Sequence, residues 1–225
     1  MSRLRSQDGF TLPELLVAMV IGLMTTLAVL GILDISVKQS TAVAGRVNAT
    51  QRARLAMDTI TRQLRSQVCY NATTPAIVAG TDDSVKFHVD LSNGGKAIEQ
   101  RELIFNPTTK VITEKQWAGV GAPLAFPTET LSRTVLSDVT RRVAPDPTEI
   151  FRFYAYDLNV PPRPDLRLTT PLSATDRARV AKIEIGFMTL PPGSKSAPAS
   201  SSTLQNEIYV RVADPNDPAP TPTCA

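Results

Sequence analysis

Leu15 to Leu33 reads LLVAMVIGLMTTLAVLGIL, nineteen residues without a charge. As an α-helix this run spans ~28 Å, close to the hydrocarbon thickness of a bilayer. Arg3 and Arg5 precede it, and the first charge after it is Asp34. Basic residues are retained on the cytoplasmic side of a membrane, so this asymmetry leaves the N-terminus in the cytoplasm and exports the remainder of the chain. Two other readings compete. A buried core helix rarely carries so long a charge-free run. A secretory signal peptide shares the basic start and the apolar stretch, and Ala42-Val43-Ala44 has the A-x-A form of a cleavage site. Against it, the run exceeds the apolar region of a signal peptide, Lys38 and several polar residues separate it from Ala42, and Glu14 stands at its mouth.

The rest of the composition is that of a globular protein. The chain has 225 residues, 42% of them hydrophobic and 20% charged. Lys+Arg 24 against Asp+Glu 21 gives a net charge of +3, too weak a bias to mark a nucleic-acid binder. There is one histidine, His88, and there are two cysteines, Cys69 and Cys224. A zinc site needs about four ligands of these kinds, which leaves almost no room for one. Triad chemistry would have to run through His88 alone. G-x-S-x-G, P-loop and H-E-x-x-H patterns are absent from the sequence, so neither an enzyme nor a cofactor is expected.

Ahead of the apolar run stands Asp8-Gly9-Phe10-Thr11-Leu12-Pro13-Glu14. In order, spacing and adjoining hydrophobic segment it resembles the type IV prepilin leader, shared by type IV pilins and the pseudopilins of type II secretion systems. The resemblance implies that a prepilin peptidase cuts after Gly9 and that Phe10 becomes a methylated N-terminus. It further implies that Glu14, at the fifth mature position, meets the N-terminal amine of a neighbouring subunit. Pro13 replaces the commoner Ile, a change that a first helical turn tolerates because its N–H has no helical partner. The physical alternative for Glu14 is relief of the helix dipole. That is worth only about 0.3–1 kcal/mol, less than an unpaired carboxylate costs at the edge of hydrocarbon.

From Ile35 to Val68 there is no Pro and one Gly, Gly45. Val43, Val47, Ala53, Met57, Ile60, Leu64 and Val68 recur at helical spacing and predict an apolar stripe that seats a globular domain. One helix from Phe10 to Val68 is therefore expected, roughly 88 Å long. The opposite face carries Lys38, Arg46, Arg52, Arg54, Asp58, Arg62 and Arg65. This basic face admits DNA as a partner, but aromatics are absent until Tyr70 and such charge runs are usually solvated.

Beyond Cys69 the pattern is that of strands. Val85, Phe87 and Val89 alternate with Lys86, His88 and Asp90, which places His88 away from the apolar face as a surface histidine. Asn93-Gly94-Gly95 reads as a turn, and Asn106-Pro107-Thr108-Thr109 joins Arg101–Phe105 to Lys110–Trp117 as a hairpin. Trp117 belongs in the core or at its rim. Thr134–Val139 fits a strand or a short helix. Ile150–Tyr156, Val180–Leu190 and Leu204–Val212 are further strands, with loops at 118–127, 157–175 and 191–203. About six strands after one long helix predict an α+β fold, pilin-like, with the helix packed on an antiparallel sheet.

The expected organisation is a leader at 1–9, a transmembrane and filament-core helix at 10–34, its amphipathic continuation at 35–69, an extracytoplasmic β-rich domain at 70–213 and a Pro-rich tail at 214–225. RLAMDTITRQL (54–64), RELIFNPTTK (101–110) and IFRFYAYD (150–157) look like the J-type minor pseudopilins and W-type minor pilins. The function implied is a minor pilin or pseudopilin. A tip-located adhesin or DNA-uptake receptor on the same anchor is the alternative. Its implied partners are prepilin peptidase, other pilins, an inner-membrane assembly platform and, before assembly, membrane lipid. Bulk and long loops argue for a place near a filament tip, and assembly power would come from a partner ATPase. In an exported domain Cys69 and Cys224 are candidates for one disulfide, with two free thiols as the alternative.

Overall fold

The computed structural model describes residues 11–70, 74–90, 98–121, 123–143, 145, 148–157, 163–191 and 201–210. The leader, the turn at 93–95, most of the 191–203 segment and the tail from 214 lie outside them. Helix α1 spans Leu12–Arg65, 54 residues. The chain divides into two compact units, Met1–Gly45 and Arg46–Ala225. In the first unit the described apolar residues, from Leu12 to Val43, are all exposed.

Among the described residues the second unit holds ten strands in two antiparallel sheets. One is a meander in chain order: β1 (Ile77–Gly80), β2 (Ser84–Val89), β3 (Glu99–Asn106), β4 (Val111–Ala118) and β5 (Glu129–Leu136). The other is built from β6 (Val139–Thr140), β7 (Phe151–Asp157), β8 (Arg163–Arg167), β9 (Lys182–Thr189) and β10 (Ser202–Tyr209). Its order is β10-β9-β7-β8, with β6 also pairing β9. A short helix, α2 (Ala174–Arg179), precedes β9 and is capped by the Ser173 side chain, which accepts from the Asp176 N–H.

The expected single sheet of about six strands is thus two sheets. The chain passes from one to the other at Ser137-Asp138, between β5 and β6, where Asp138 takes the left-handed φ of 58°. This resolves the ambiguous Thr134–Val139 stretch as a strand end, a tight turn and a second strand. β8 falls inside the expected 157–175 loop; it carries Pro164, which an edge strand accommodates because its outer N–H needs no partner. The β3–β4 hairpin forms as expected, with Asn106 opposite Val111. Asn106 Oδ1 accepts from the Thr108 and Thr109 N–H groups at 2.9 and 3.1 Å, a side chain standing in for backbone in the turn.

The core is the space between the two sheets and α1. Phe87, Phe151, Phe153 and Phe187 fill it beside Ile60 and Leu64 of the helix. Of the expected stripe, Ala53, Met57, Ile60 and Leu64 are buried, whereas Val43 and Val47 are exposed. Ala49 and Ala56 complete the buried face instead, at spacings of three and four. Val68 lies beyond the helix. Ser66 N–H turns back to the Arg62 and Gln63 carbonyls, and Val68 N–H donates to the His88 carbonyl of β2. The chain therefore leaves the helix by joining a sheet.

Gly80, at the end of β1, lies against the second sheet: a Cβ there would stand 2.6 Å from the Phe153 ring and 2.7 Å from Leu172. Gly80→Ala is expected to cost about 1–3 kcal/mol by overpacking. A denaturant titration of the full chain reads this as a lower midpoint at unchanged slope.

Candidate functional site

The helix start is built by local chemistry. Thr11 is the N-cap: its carbonyl accepts from Leu15 N–H at 3.2 Å. Glu14, three residues on, reaches back to accept from Thr11 N–H at 3.1 Å and from Thr11 Oγ1 at 2.9 Å. That is one half of a capping box, with the carboxylate at the positive end of the helix dipole. Thr11 is a site residue that the sequence reading missed, although T-x-x-E before an apolar run is its signal. Pro13 sits in the first turn, as that reading allows. Pro13, Glu14, Val17, Ala18 and Ile21 line a shallow, largely apolar groove along the helix. Gly9 and Phe10 lie outside the described residues.

α1 is long and apolar enough to cross a membrane. Thr25 and Thr26 interrupt its run with their hydroxyl protons paired, because each donates back to a carbonyl one turn earlier, Thr25 to Ile21 at 3.0 Å and Thr26 to Gly22 at 2.7 Å.

Residues 4–30 match the prokaryotic N-terminal methylation motif. No curated protein matches the chain. The motif supports a type IV pilin-like or pseudopilin precursor that prepilin peptidase processes and that assembles with other pilins. Together with the charge-free helix that it overlaps, it supports single-pass membrane anchoring. The family that carries this motif is structural rather than catalytic.

The structure also places the other candidate residues. Cys69 comes just after the end of α1, half-buried, and is not a free thiol; Cys224 lies outside the described residues. Three residues of the basic face are ion-paired: Lys38 with Asp34 at 2.7 Å, Arg62 with Asp58 at 3.0 Å, and Arg52 with Asp138 at 3.6 Å. Arg52 also donates to Ser137 Oγ at 3.3 Å, so it ties the helix to the turn where the chain changes sheets. Trp117 is at the rim, with Lys86 Nζ 4.1 Å from its ring centre.

His88 corrects the expectation of a surface histidine: it is 3% exposed. Alternation put it on the outer face of β2 correctly, but that face is covered. Tyr70 and Phe126 flank the imidazole at ring distances of 5.9 and 5.3 Å, and Gln100 Nε2 is 3.4 Å from its Nε2. The Tyr70 hydroxyl accepts from Leu124 N–H at 2.6 Å, which pins part of the 118–127 loop over the ring. Periodicity within one strand carries no information about a loop folded back from elsewhere.

Burial pushes the His88 pKa below its ordinary 6.5, aided by the charge of Lys86 and opposed by the Pro75 backbone. The folded state then binds fewer protons than the unfolded state between the depressed value and 6.5, so stability falls as pH drops through that window. His88 is the sole histidine. Thermal melting between pH 7.5 and 5 is therefore expected to show a fall in Tm that His88→Phe, which keeps the ring stack, flattens. An unchanged slope in the variant would assign the effect to other groups.

Proposed function

We propose that the chain is a minor pilin or pseudopilin, a structural subunit held in the cytoplasmic membrane until it enters a type IV pilus or a type II secretion pseudopilus. The observation that carries this reading is the methylation motif over residues 4–30, running into a helix that is charge-free from Leu15 to Leu33. On this reading residues 1–9 are removed by prepilin peptidase, Phe10 is methylated, and 10–34 remain as the anchor and filament-core segment. The amphipathic 35–69 stretch and the β-rich 70–213 domain are extracytoplasmic, with the N-terminus in the cytoplasm. The size of the Arg46–Ala225 unit favours a minor subunit over one repeated along a thin shaft.

Glu14 has a role in this scheme that Thr11 alone does not complete. The two hydrogen bonds from Thr11 lower the cost of a carboxylate in the membrane but leave its charge unneutralised. The amine of a neighbouring subunit supplies that charge. Mass spectrometry of the mature N-terminus is expected to find methylated Phe10; a chain beginning at Gly45 would instead mean a secreted protein. Glu14→Gln is expected to leave cleavage intact and to reduce co-purification with other pilins. Unchanged incorporation would leave Glu14 as a helix cap.

Cys69 and Cys224 form the second part of the proposal. A bridge between them would tie the tail to the chain just past α1, and the chain-entropy model gives an upper value of about 5 kcal/mol for so long a loop. Non-reducing peptide mapping of exported protein is expected to recover the two cysteines in one linked pair. Recovery of both as free thiols removes the bridge without touching the assembly reading.

A further inference from the structure

In the β1–β5 sheet, the side of β2, β3 and β4 that faces α1 is closed. Phe87, Leu103, Ile112 and Glu114 are at 0% exposure. β5 breaks the pattern. Leu131 stands opposite Gln116 and Arg133 opposite Glu114, so both share that inward face. Yet Leu131 is 43% exposed and the Arg133 side chain 49%. On α1, beside Arg133, Leu55 is 70% exposed. Between strand and helix lies an open groove of about 390 Å³, with Arg52, Leu55, Thr59, Arg133 and Val135 among its walls.

Two features say what fits there. The first is charge. Among the described residues no carboxylate lines the groove, whereas two guanidinium groups do. Arg52 and Arg133 hold Asp138 and Glu114 on their inner sides and keep part of their surface outward. From Arg46 to Arg65 the helix carries five arginines and one aspartate. The second is shape. An added strand is disfavoured, because two register shifts set Thr130 and Val135 out of the β4–β5 ladder and such irregularities blunt an edge. The uncovered space lies beside one helix and beneath one strand. Helices pack about 8–10 Å apart, roughly two strand spacings, so this is the place of a second helix.

We infer that the groove between α1 and β5 seats an acidic amphipathic helix of another protein chain. Its apolar side chain lies between Leu55 and Val135, and its carboxylates face Arg52 and Arg133. This goes beyond the assembly reading, since neither the leader nor Glu14 takes part.

The test places photoreactive benzoylphenylalanine at Leu55 or, separately, at Thr134, an exposed groove residue, of the full-length chain in the producing cells. The cross-linked peptides are then sequenced. Both positions are expected to capture the same peptide of another protein, free of proline, with Asp or Glu three or four residues from an apolar side chain. Leu55→Glu should lower the yield from position 134 by about tenfold, as loss of a central apolar contact does, while Leu55→Met keeps it within about twofold. Leu55 is exposed, so neither substitution should move the melting temperature. Different peptides at the two positions, lipid adducts alone, a basic or proline-bearing segment, a peptide of this same chain, or indifference to Leu55→Glu would each overturn the inference. A failure of leader cleavage would overturn the assembly reading and leave this result standing.

Discussion

One helix has to be stable in two surroundings, and the rest of the structure depends on how it does so. Up to Val43 the described apolar side chains of α1 are exposed, and Glu14, Thr25 and Thr26 make local hydrogen bonds along the helix. From Ala49 to Leu64 the same helix buries a face against two sheets. The two stretches use different residues for different reasons. In the first, bulky Leu, Val, Ile and Met match hydrocarbon on every side. In the second, Ala49, Ala53 and Ala56 thin the buried face so that β-sheets can approach the helix backbone, while Met57, Ile60 and Leu64 fill the space between them. The seat is narrow, and the arginines flanking it stay outside or reach to the sheet turn at Ser137-Asp138.

Two sheets on one helix bring charge into the interior. Glu114 is completely buried on the helix-facing side of β4. Burial works to raise its pKa, but hydrogen bonds from Gln116, Gln63 and Arg133 and the charge of Arg101 hold it below the usual carboxylate value. On the second sheet Glu184 receives Arg152, Gln205 and, at 3.0 Å, the Tyr154 hydroxyl. Arg142 lies beside them, and Gly186 makes room for it: a Cβ there would stand 2.6 Å from the guanidinium carbon. Removing one member of such a buried set leaves an uncompensated charge, at a cost of about 3–5 kcal/mol, which is why they hold strands in register rather than merely decorate them.

What was legible in the sequence is what depends on neighbours along the chain. The charge-free run, the helical spacing of Ala53, Met57, Ile60 and Leu64, the β3–β4 hairpin and the IFRFYAY strand all arise from local pattern. Val43 and Val47 failed because helical period says which residues share a face and not where along the helix the cover begins. The division into two sheets was hidden for the same reason: Ser137-Asp138 looks like any turn, and only the pairing of β6 with β9 makes it a crossing. His88 shows the limit most clearly. Its face was read correctly, but Tyr70 and Phe126 arrive from 18 and 38 residues away in the chain to bury it. At the N-terminus the motif was legible, whereas the Thr11–Glu14 contact needed the capping rule to be applied to residues already singled out for another reason.

The chemistry of the buried polar groups bears on what kind of work this protein does. A carboxylate used for proton transfer is held where its two protonation states are close in energy, by burial without full pairing or by a second carboxylate. Glu114 is held the opposite way, by two arginines and an amide that keep its pKa below the usual carboxylate value, and Glu184 meets an arginine, an amide and a phenol. His88, shifted toward the neutral form, stacks between two aromatic rings. In each case the pairing secures a strand or a loop to its neighbour. Two features are of a different kind: Glu14, which among the described residues takes hydrogen bonds from Thr11, and the open flank of β5. On the proposed reading both are places where a neighbouring polypeptide would sit, as expected of a subunit positioned among others.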